Sequence, residues 1–346
     1  MRQLEVTGAR SAQWREAPDP RLEGDGEALV RPLAVAMCDL DAGFLSGAVP
    51  VGEPFPFGHE CVGEVVDHGD AVTSVRRGDR VVVPFQISCG DCVACRAGFT
   101  GSCETVGAGS AYGMRPLGGD WGGALADLIR VPFADAMLVA LPGGVDPVAI
   151  PSVADNVPDG FRAVAGPLRD APGAEVLVAG GVSRSVSLYA VLAAKALGAG
   201  RVVYADHDEG RLAAAAALGA EVAAIPVDDD GTARWPRKLG RFPITVDGSG
   251  DHGGLSATIA STAPNGRCTS VAIYFEAETP LPLLAMYTRG CTFHTSRVHA
   301  RSLIPTVLQH VADGSIDPSL VTSAVVRFDD ASEALVDPPT KLVLVP

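Results

Sequence analysis

Four cysteines in one short stretch place the tightest constraint on how this chain can fold. Cys89, Cys92, Cys95 and Cys103 follow the spacing C-x2-C-x2-C-x7-C. Four thiolates held together complete a tetrahedral zinc site with no open position, so a zinc ion bound here folds its loop and does no chemistry. Close cysteine runs also hold iron–sulfur clusters, and that alternative is open from the spacing alone.

A disulfide framework is a poor explanation of the eight cysteines. The N-terminus lacks the apolar core of a secretory signal, and no apolar run reaches the length that spans a membrane. We therefore expect a cytoplasmic protein, in which thiols stay reduced. The chain has 27 Lys and Arg against 41 Asp and Glu, a net charge of −14. This charge repels nucleic-acid phosphates and anionic lipids, and it argues against both as partners.

A second motif indicates a metal site of a different kind. His59 lies in the pattern G-H-E-x2-G-x5-G-x2-V, which begins at Gly58, and Cys38 lies about twenty residues before it. An imidazole nitrogen and a thiolate are ligands that a tetrahedral zinc with one open position prefers. Gly58 permits a tight turn before His59. The alternatives are a core histidine beside a turn and a buried apolar thiol.

The pattern of apolar residues changes near the middle of the chain. A length of 346 residues is too great for one ordinary core, so we expect two domains. Residues 1 to about 35 alternate short apolar runs with Gly and Pro turns, which indicates a β-rich start. From about residue 157 the pattern is a buried strand, a glycine turn, a helix and a second strand ending at Asp206. This βαβ pattern is typical of a Rossmann domain.

These motifs together resemble the zinc-dependent medium-chain alcohol dehydrogenase family (medium-chain dehydrogenase/reductase) over nearly the whole chain. The resemblance implies an α/β protein with a GroES-like β-rich catalytic domain at 1–156, which carries a structural zinc lobe at about 86–104. A Rossmann domain with a doubly wound parallel sheet would follow at 157–295, and residues 296–346 would return to the catalytic domain. The cysteine cluster lies where the family has its structural zinc, which favours zinc over iron–sulfur. Two zinc ions per chain, NAD, and a homodimer or homotetramer are expected.

The resemblance assigns a catalytic zinc to Cys38, His59 and Asp155. Asp155 has the Asp-x4-Gly spacing of members that use Asp as the third ligand, and a helix N-cap is its alternative role. Asp41 is placed to orient His59 as a hydrogen-bond acceptor. Glu60 approaches the metal in relatives, so an exchangeable ligand is its expected role.

Leu40 departs from the family pattern. Relatives that oxidise simple alcohols usually carry a hydroxyl there, which passes on the substrate proton, and a leucine cannot relay a proton. Either the proton leaves through water or another side chain, or the substrate is not a simple alcohol. Phe85 and Trp121 would wall the substrate pocket by analogy, and ordinary aromatic core is an equal account of both.

The expected phosphate loop is also unusual. Gly180 and Gly181 stand at the turn, but Ser187 occupies the place of the last glycine, and the loop is about two residues longer than is usual in the family. A helix N-terminus accepts a pyrophosphate through its backbone N–H groups. The side chains expected to assist it are Ser183, Arg184 and Ser185.

Two further residues are assigned to the cofactor. Asp206 ends the second strand, where a carboxylate accepts the ribose hydroxyls and repels a 2′-phosphate, which favours NAD over NADP. Lys341 matches a basic residue that touches the pyrophosphate in relatives, and a solvated lysine is the alternative.

The implied function is hydride transfer between NAD(H) and a small alcohol or carbonyl substrate by a zinc-dependent oxidoreductase. One alternative is a reductase of the same fold that acts on a C=N or conjugated C=C bond, which Leu40 favours. The other is a nucleotide-binding or scaffold protein without turnover, which the altered phosphate loop favours.

Overall fold

Mostly antiparallel strands from both ends of the chain form one unit, and a run of alternating strands and helices between them forms a second. The computed structural model describes residues 1–346. Its first unit comprises Met1–Pro158 and Val298–Pro346, and its second comprises Asp159–Arg297.

Strands and helices are numbered here in chain order. The strands are β1 (Arg2–Gly8), β2 (Ser11–Glu16), β3 (Ala28–Ala36), β4 (Phe55–Pro56), β5 (Glu60–His68), β6 (Arg80–Val83), β7 (Ile129–Val131), β8 (Val139–Ala140), β9 (Val176–Ala179), β10 (Val202–Asp206), β11 (Glu221–Ala224), β12 (Phe242–Asp247), β13 (Thr262–Ser270), β14 (Thr292–Thr295), β15 (Ala324–Arg327) and β16 (Leu342–Val345). The helices are α1 (Asp39–Ser46), α2 (Val93–Arg96), α3 (Ala134–Met137), α4 (Asn156–Asp170), α5 (Arg184–Ala196), α6 (Glu209–Ala217), α7 (His252–Ser261), α8 (Leu283–Arg289), α9 (Ala300–Ala312) and α10 (Ala331–Ala334). None of these helices combines the length and the apolarity needed to cross a membrane.

The first unit is built on a sheet in the order β15-β16-β3-β5-β6-β8, with β7 also paired to β3. A smaller sheet, β2-β1-β4, lies beside it in the same unit. Valines recur on the central strands, where β-branched side chains pack well on a pleated surface. Val30, Val35, Val65, Val81 and Val83 are fully buried in this core.

The register of three central strands brings their ends to one place. β3 and β5 are antiparallel, with Ala36 opposite Glu60, so Cys38 just after β3 lies across from the turn that carries His59 into β5. β16 pairs with the other edge of β3. Lys341, immediately before β16, therefore arrives at the same end of the sheet.

Gly58 makes the entry into β5 possible. Its φ of +86° is a left-handed conformation that side chains disfavour. A Cβ at this position would also press on the side chain of Leu125. The glycine therefore sets the direction from which His59 leaves the turn.

The second unit contains a six-stranded sheet in the order β11-β10-β9-β12-β13-β14, and every pairing in it is parallel. All four residues of β9 are buried, as expected of a strand covered on both faces. The chain order reverses between β9 and β12, which is the switch point at which doubly wound sheets bind ligands. The predicted α/β class, a β-rich unit with a Rossmann sheet, is confirmed.

Replacing Gly58 by Ala tests the turn before His59. We expect Gly58→Ala to lower the free energy of unfolding by about 1–2 kcal/mol for the left-handed backbone, plus the cost of moving Leu125. Gly52→Ala is the matched control, because Gly52 has ordinary φ and open space around it. Urea unfolding followed by tryptophan fluorescence measures both, and equal midpoints for the two variants would contradict this account of the turn.

Candidate metal and cofactor sites

Three chemically different side chains meet at the end of the β3–β5 pair. The Cys38 sulfur, a His59 ring nitrogen and an Asp155 carboxylate oxygen all lie within 4.8 Å of one another. Asp155 directly follows a 3-10 turn at Pro151–Ala154. The backbone N–H of Phe85 donates to the carbonyl of Ala154 at 3.3 Å, which ties this turn to the segment after β6.

His59 is held between two carboxylates. Its Nδ1 lies 3.6 Å from Asp41 Oδ1, and its Nε2 lies 3.5 Å from Asp155 Oδ2. The ring is fully buried, and neither nitrogen makes a hydrogen bond. Burial lowers the pKa of His59, but the carboxylates of Asp41 and Asp155 outweigh it and raise the pKa to about 9. Orphaned ring nitrogens beside a thiol and a carboxylate fit a zinc ion with three protein ligands and one open position.

Asp41 also binds the backbone of Cys38. Its Oδ2 accepts the backbone N–H of Cys38 at 2.9 Å, which fixes the start of α1, while its Oδ1 faces His59 without a hydrogen bond. One carboxylate thus positions the segments of two candidate ligands. Its expected role in orienting His59 is compatible with this geometry.

Glu60 and Lys341 form a buried ion pair beside the cluster. Lys341 Nζ donates to Glu60 Oε2 at 2.6 Å and to the carbonyl of Met37 at 2.6 Å, and both charged residues are fully buried. Burial raises the pKa of Glu60, and the Lys341 ammonium opposes that shift. A solvated lysine is therefore wrong, and in this arrangement Lys341 holds Glu60 rather than a pyrophosphate. Glu60 Oε1 has no partner, so the prediction that it approaches a metal stands.

Asn156 contacts the same cluster, and the sequence did not single it out. Its side-chain Oδ1 lies 3.3 Å from the Cys38 sulfur, and the residue is 1% exposed. The one signal was its position next to Asp155.

The four-cysteine lobe is a separate cluster whose donor atoms also lie within 4.8 Å of one another. Backbone N–H groups point at its sulfurs: those of Asp91 and Cys92 donate to Cys89, and that of Cys95 donates to Cys92, each at 3.4 Å. Burial opposes ionisation of Cys89, but the Thr105 hydroxyl and these N–H groups lower its pKa to about 6. Hydrogen bonds also lower the pKa of Cys92, whereas burial raises that of Cys95. A closed set of four cysteine sulfurs, with N–H groups directed at them, fits a structural zinc.

The three residues assigned to the substrate pocket have different surroundings. The Phe85 ring lies 5.6 Å from the His59 ring, so Phe85 borders the candidate metal site directly. Leu40, two residues after Cys38, and Trp121 are both half-buried and pack against the main apolar core of the first unit. A pocket role for these three residues stays a prediction.

The loop after β9 turns as the two glycines predicted. No side chain fits at Gly181, where φ is +154° and a Cβ would collide with the backbone carbonyl of Ser249. The N–H of Val182 donates to that carbonyl at 3.2 Å, and the N–H of Ser183 donates to the carbonyl of Gly248 at 3.0 Å. The segment after β12 therefore takes N–H groups that a phosphate would otherwise use.

The serines predicted to contact phosphate are all buried. The hydroxyl of Ser183 donates to the carbonyl of Val271 at 3.3 Å. Ser185 and Ser187 are fully buried in α5, and the Ser187 hydroxyl has no hydrogen-bond partner. Phosphate contacts by these three side chains stay a prediction. Arg184, at the first turn of α5, is half-buried and remains a candidate for the pyrophosphate.

The carboxylate of Asp206 already accepts hydrogen bonds from within the protein. Its carboxylate accepts hydrogen bonds from the Tyr204 hydroxyl at 2.6 Å and from the Arg211 guanidinium at 2.7 and 2.8 Å. The backbone N–H groups of His207 and Asp208 add two more at 2.7 and 3.1 Å, and Asp206 is fully buried. A ribose hydroxyl must therefore displace one of these donors to reach the carboxylate, and the assignment of Asp206 to the ribose stays a prediction.

Comparison with known proteins decides the family. The alcohol dehydrogenase GroES-like domain matches residues 24–143, and the zinc-binding dehydrogenase domain matches residues 185–313. A zinc-type alcohol dehydrogenase B of Aspergillus flavus is 30% identical over 302 residues, which cover 85% of this chain and 68% of that protein. The chain belongs to the zinc-dependent medium-chain dehydrogenase/reductase family.

Solved structures share the fold of this chain. The alcohol dehydrogenase of Thermus sp. ATN1 superposes with a TM-score of 0.87 at 27% identity, covering 100% of this chain and 99% of that one. A zinc-binding dehydrogenase from Sinorhizobium meliloti, bound to NADP, superposes with a TM-score of 0.79 at 20% identity and covers 100% and 99% of the two chains. Membership of the medium-chain family gives the coarse activity, an oxidoreductase that works with zinc and a nicotinamide cofactor.

Counting zinc in variants of this medium-chain dehydrogenase tests the two metal sites separately. We expect about two zinc ions per wild-type chain and about one in Cys38→Ser, because the four-thiolate lobe is independent of the open site. Cys92→Ser should lose the other ion and destabilise the lobe. Mass spectrometry of the metal content measures all three.

Cys291→Ser is the control, since Cys291 is half-buried and lies in neither cluster. It should keep the wild-type zinc content. An unchanged zinc content in Cys38→Ser would rule out the open site at this cysteine.

Proposed function

We propose that this protein transfers a hydride between NAD(H) and a small alcohol or carbonyl substrate, using zinc held by Cys38, His59 and Asp155. One observation carries the proposal. A buried imidazole without hydrogen-bond partners lies within 4.8 Å of a thiol and a carboxylate, in a family of zinc-binding dehydrogenases.

Each residue near the cluster has a distinct part. Bound there, zinc supplies Lewis-acid polarisation of a substrate oxygen. Asp41 anchors the backbone of Cys38 and faces His59, so the two ligands keep their relative orientation. Phe85 covers one side of the imidazole with an apolar ring and limits the access of water there.

Leu40 determines which substrates are expected. It offers no hydroxyl to carry away the proton of an alcohol, so oxidation needs water or another side chain as the acceptor. Reduction of a carbonyl has the matching need for a proton donor. A reductase of C=N or conjugated C=C bonds is the second candidate, and Leu40 is the observation that favours it.

NAD is the proposed cofactor, with a weaker preference over NADP than a free carboxylate would give. Asp206 places a negative charge at the end of β10, where a 2′-phosphate would be repelled. Arg211 neutralises much of that charge through its two hydrogen bonds to the same carboxylate. Calorimetric dissociation constants for NAD and NADP compare the two directly.

Activity assays with a substrate panel test the proposed reaction. We expect the zinc-loaded protein to reduce aldehydes or ketones with NADH and to oxidise the matching alcohols with NAD. His59→Ala should lower kcat/KM about a thousandfold or more, because losing the metal removes several kcal/mol of transition-state stabilisation. His310→Ala is the control, since His310 lies on α9, away from the cluster residues in the chain.

The outcomes separate the candidates. Turnover of imines or enals with NADH, and none of alcohols or carbonyls, would replace the alcohol proposal with the C=N or C=C reductase. A protein with both zinc ions that binds neither NAD nor NADP would be a scaffold without turnover.

A homodimer or homotetramer is part of the proposal, and the second unit offers a surface for it. β14 is the last strand of the six-stranded sheet, and an edge strand presents unpaired N–H and C=O groups. On α8, the neighbouring segment, Leu283, Leu284 and Tyr287 are 65%, 78% and 85% exposed. Large apolar side chains this exposed are typical of an interaction surface.

Charging this surface tests the assembly. Leu284→Glu combined with Tyr287→Glu should shift the protein towards monomers, because burying two carboxylates in an interface is unfavourable. Leu320→Glu, on an equally apolar but separate exposed position of the first unit, should leave the oligomer intact. Sedimentation velocity measures the mass, and an unchanged mass in the double variant would exclude α8 as the interface.

A further inference from the structure

Asn156 lies where it can act on the sulfur of the open metal site. Its carboxamide is 3.3 Å from Cys38 Sγ, and the residue is 1% exposed. Asn156 is the first residue of α4 and follows Asp155 directly. Two consecutive residues thus reach the same cluster, one with a carboxylate for the metal and the other with a carboxamide for the sulfur.

The charge around Cys38 explains why a carboxamide is useful there. Asp41, Glu60 and Asp155 are all buried near this sulfur. A thiolate formed among carboxylates is destabilised unless a donor or a cation faces it. A fourth carboxylate, at position 156, would add to the repulsion, whereas a carboxamide brings two N–H groups and no charge.

The contact must differ between a free cysteine, which is a thiol, and a metal-bound cysteine, which is a thiolate. As a thiol, Cys38 donates its S–H to Asn156 Oδ1. As a thiolate it can only accept, and a half-turn of the amide puts Nδ2–H where Oδ1 was, because the two ends of the group have nearly the same shape. The same side chain therefore suits both states of the sulfur.

The four-cysteine lobe also has N–H groups that donate to its sulfurs. Its sulfurs receive N–H groups from the backbone, as Cys89 does from Asp91 and Cys92. At Cys38 a side chain reaches the sulfur. A side-chain donor can be removed by substitution without altering the backbone.

We propose that Asn156 is a positioning residue of the open metal site, which donates a carboxamide N–H to the Cys38 thiolate and thereby orients the sulfur and draws charge from it. This inference rests on the proposed metal ligation by Cys38, His59 and Asp155. A sulfur that donates less charge leaves the metal a stronger Lewis acid, while the fixed orientation of the sulfur favours metal binding. Losing a partner of this kind commonly costs about ten- to a hundredfold in metal affinity or activity.

Cobalt in the open site, with zinc kept in the lobe, provides a readout independent of activity. The thiolate-to-cobalt absorption of Cys38 is obtained by subtracting the spectrum of Cys38→Ser from that of each protein. Asn156→Leu removes the donor at similar size without adding charge, and Asn156→Asp removes it at the same shape while adding a negative charge. We expect both variants to shift this band to lower energy and to lose cobalt to a chelator about ten- to a hundredfold faster.

Ser152→Ala is the control, because Ser152 is 2% exposed in the turn before Asp155 and makes no hydrogen bond to Cys38. It should keep the wild-type band and rate. Zinc retained in the lobe reports that each variant is folded, and the Asp variant decides the test if the Leu variant does not fold. Wild-type band and release rate in a folded, cobalt-loaded Asn156→Asp would overturn the inference alone, whereas wild-type protein that takes no cobalt at Cys38 would overturn the metal site itself.

Discussion

An imbalance of buried charge organises the first unit. Asp41, Glu60 and Asp155 are carboxylates with almost no exposure, and they share one region with His59 and a single buried ammonium, Lys341. Three carboxylates against one ammonium leave two negative charges, or one when His59 carries a proton, in a medium of low dielectric, which is unfavourable without protonation or a further cation. A divalent ion offsets most of that excess even when Cys38 binds as a thiolate, and the neighbouring sulfur and imidazole are ligands that make zinc the best fit.

The architecture of the sheet creates this region. Strands β3, β5 and β16 have a terminus at the same end of the sheet. The antiparallel register sets Ala36 opposite Glu60, and β16 pairs with the other side of β3. Residues far apart in the chain thus become neighbours, and each of them lies within a few positions of a strand or helix. The left-handed turn at Gly58 then aims His59 inward.

Much of this could be predicted from the sequence, for definite reasons. The four cysteines and the His59 motif are local patterns with fixed spacing, and the βαβ signal comes from hydrophobic periodicity. The fold class follows from both. Contacts that depend on tertiary packing were missed: the sequence gives no sign that Lys341 turns inward to Glu60 or that Asn156 reaches Cys38.

The residues assigned to the cofactor also make contacts that depend on tertiary packing. The position of Asp206 at the end of a strand predicts that it faces a ribose. In the structure Arg211, in the first turn of α6, donates a hydrogen bond to its carboxylate. Ser183 is engaged by the carbonyl of Val271, 88 positions later, which no local pattern predicts. A phosphate loop and its acidic residue therefore have to be judged with the segments that pack on them.

Anomalous diffraction at the zinc absorption edge, from crystals of the zinc-loaded protein, tests the central claim most directly. The account predicts two peaks per chain, one inside the four-cysteine lobe and one within about 2.0–2.3 Å of Cys38 Sγ, a His59 ring nitrogen and an Asp155 oxygen. A single peak in the lobe, with Cys38, His59 and Asp155 too far apart to bind one ion, would contradict it.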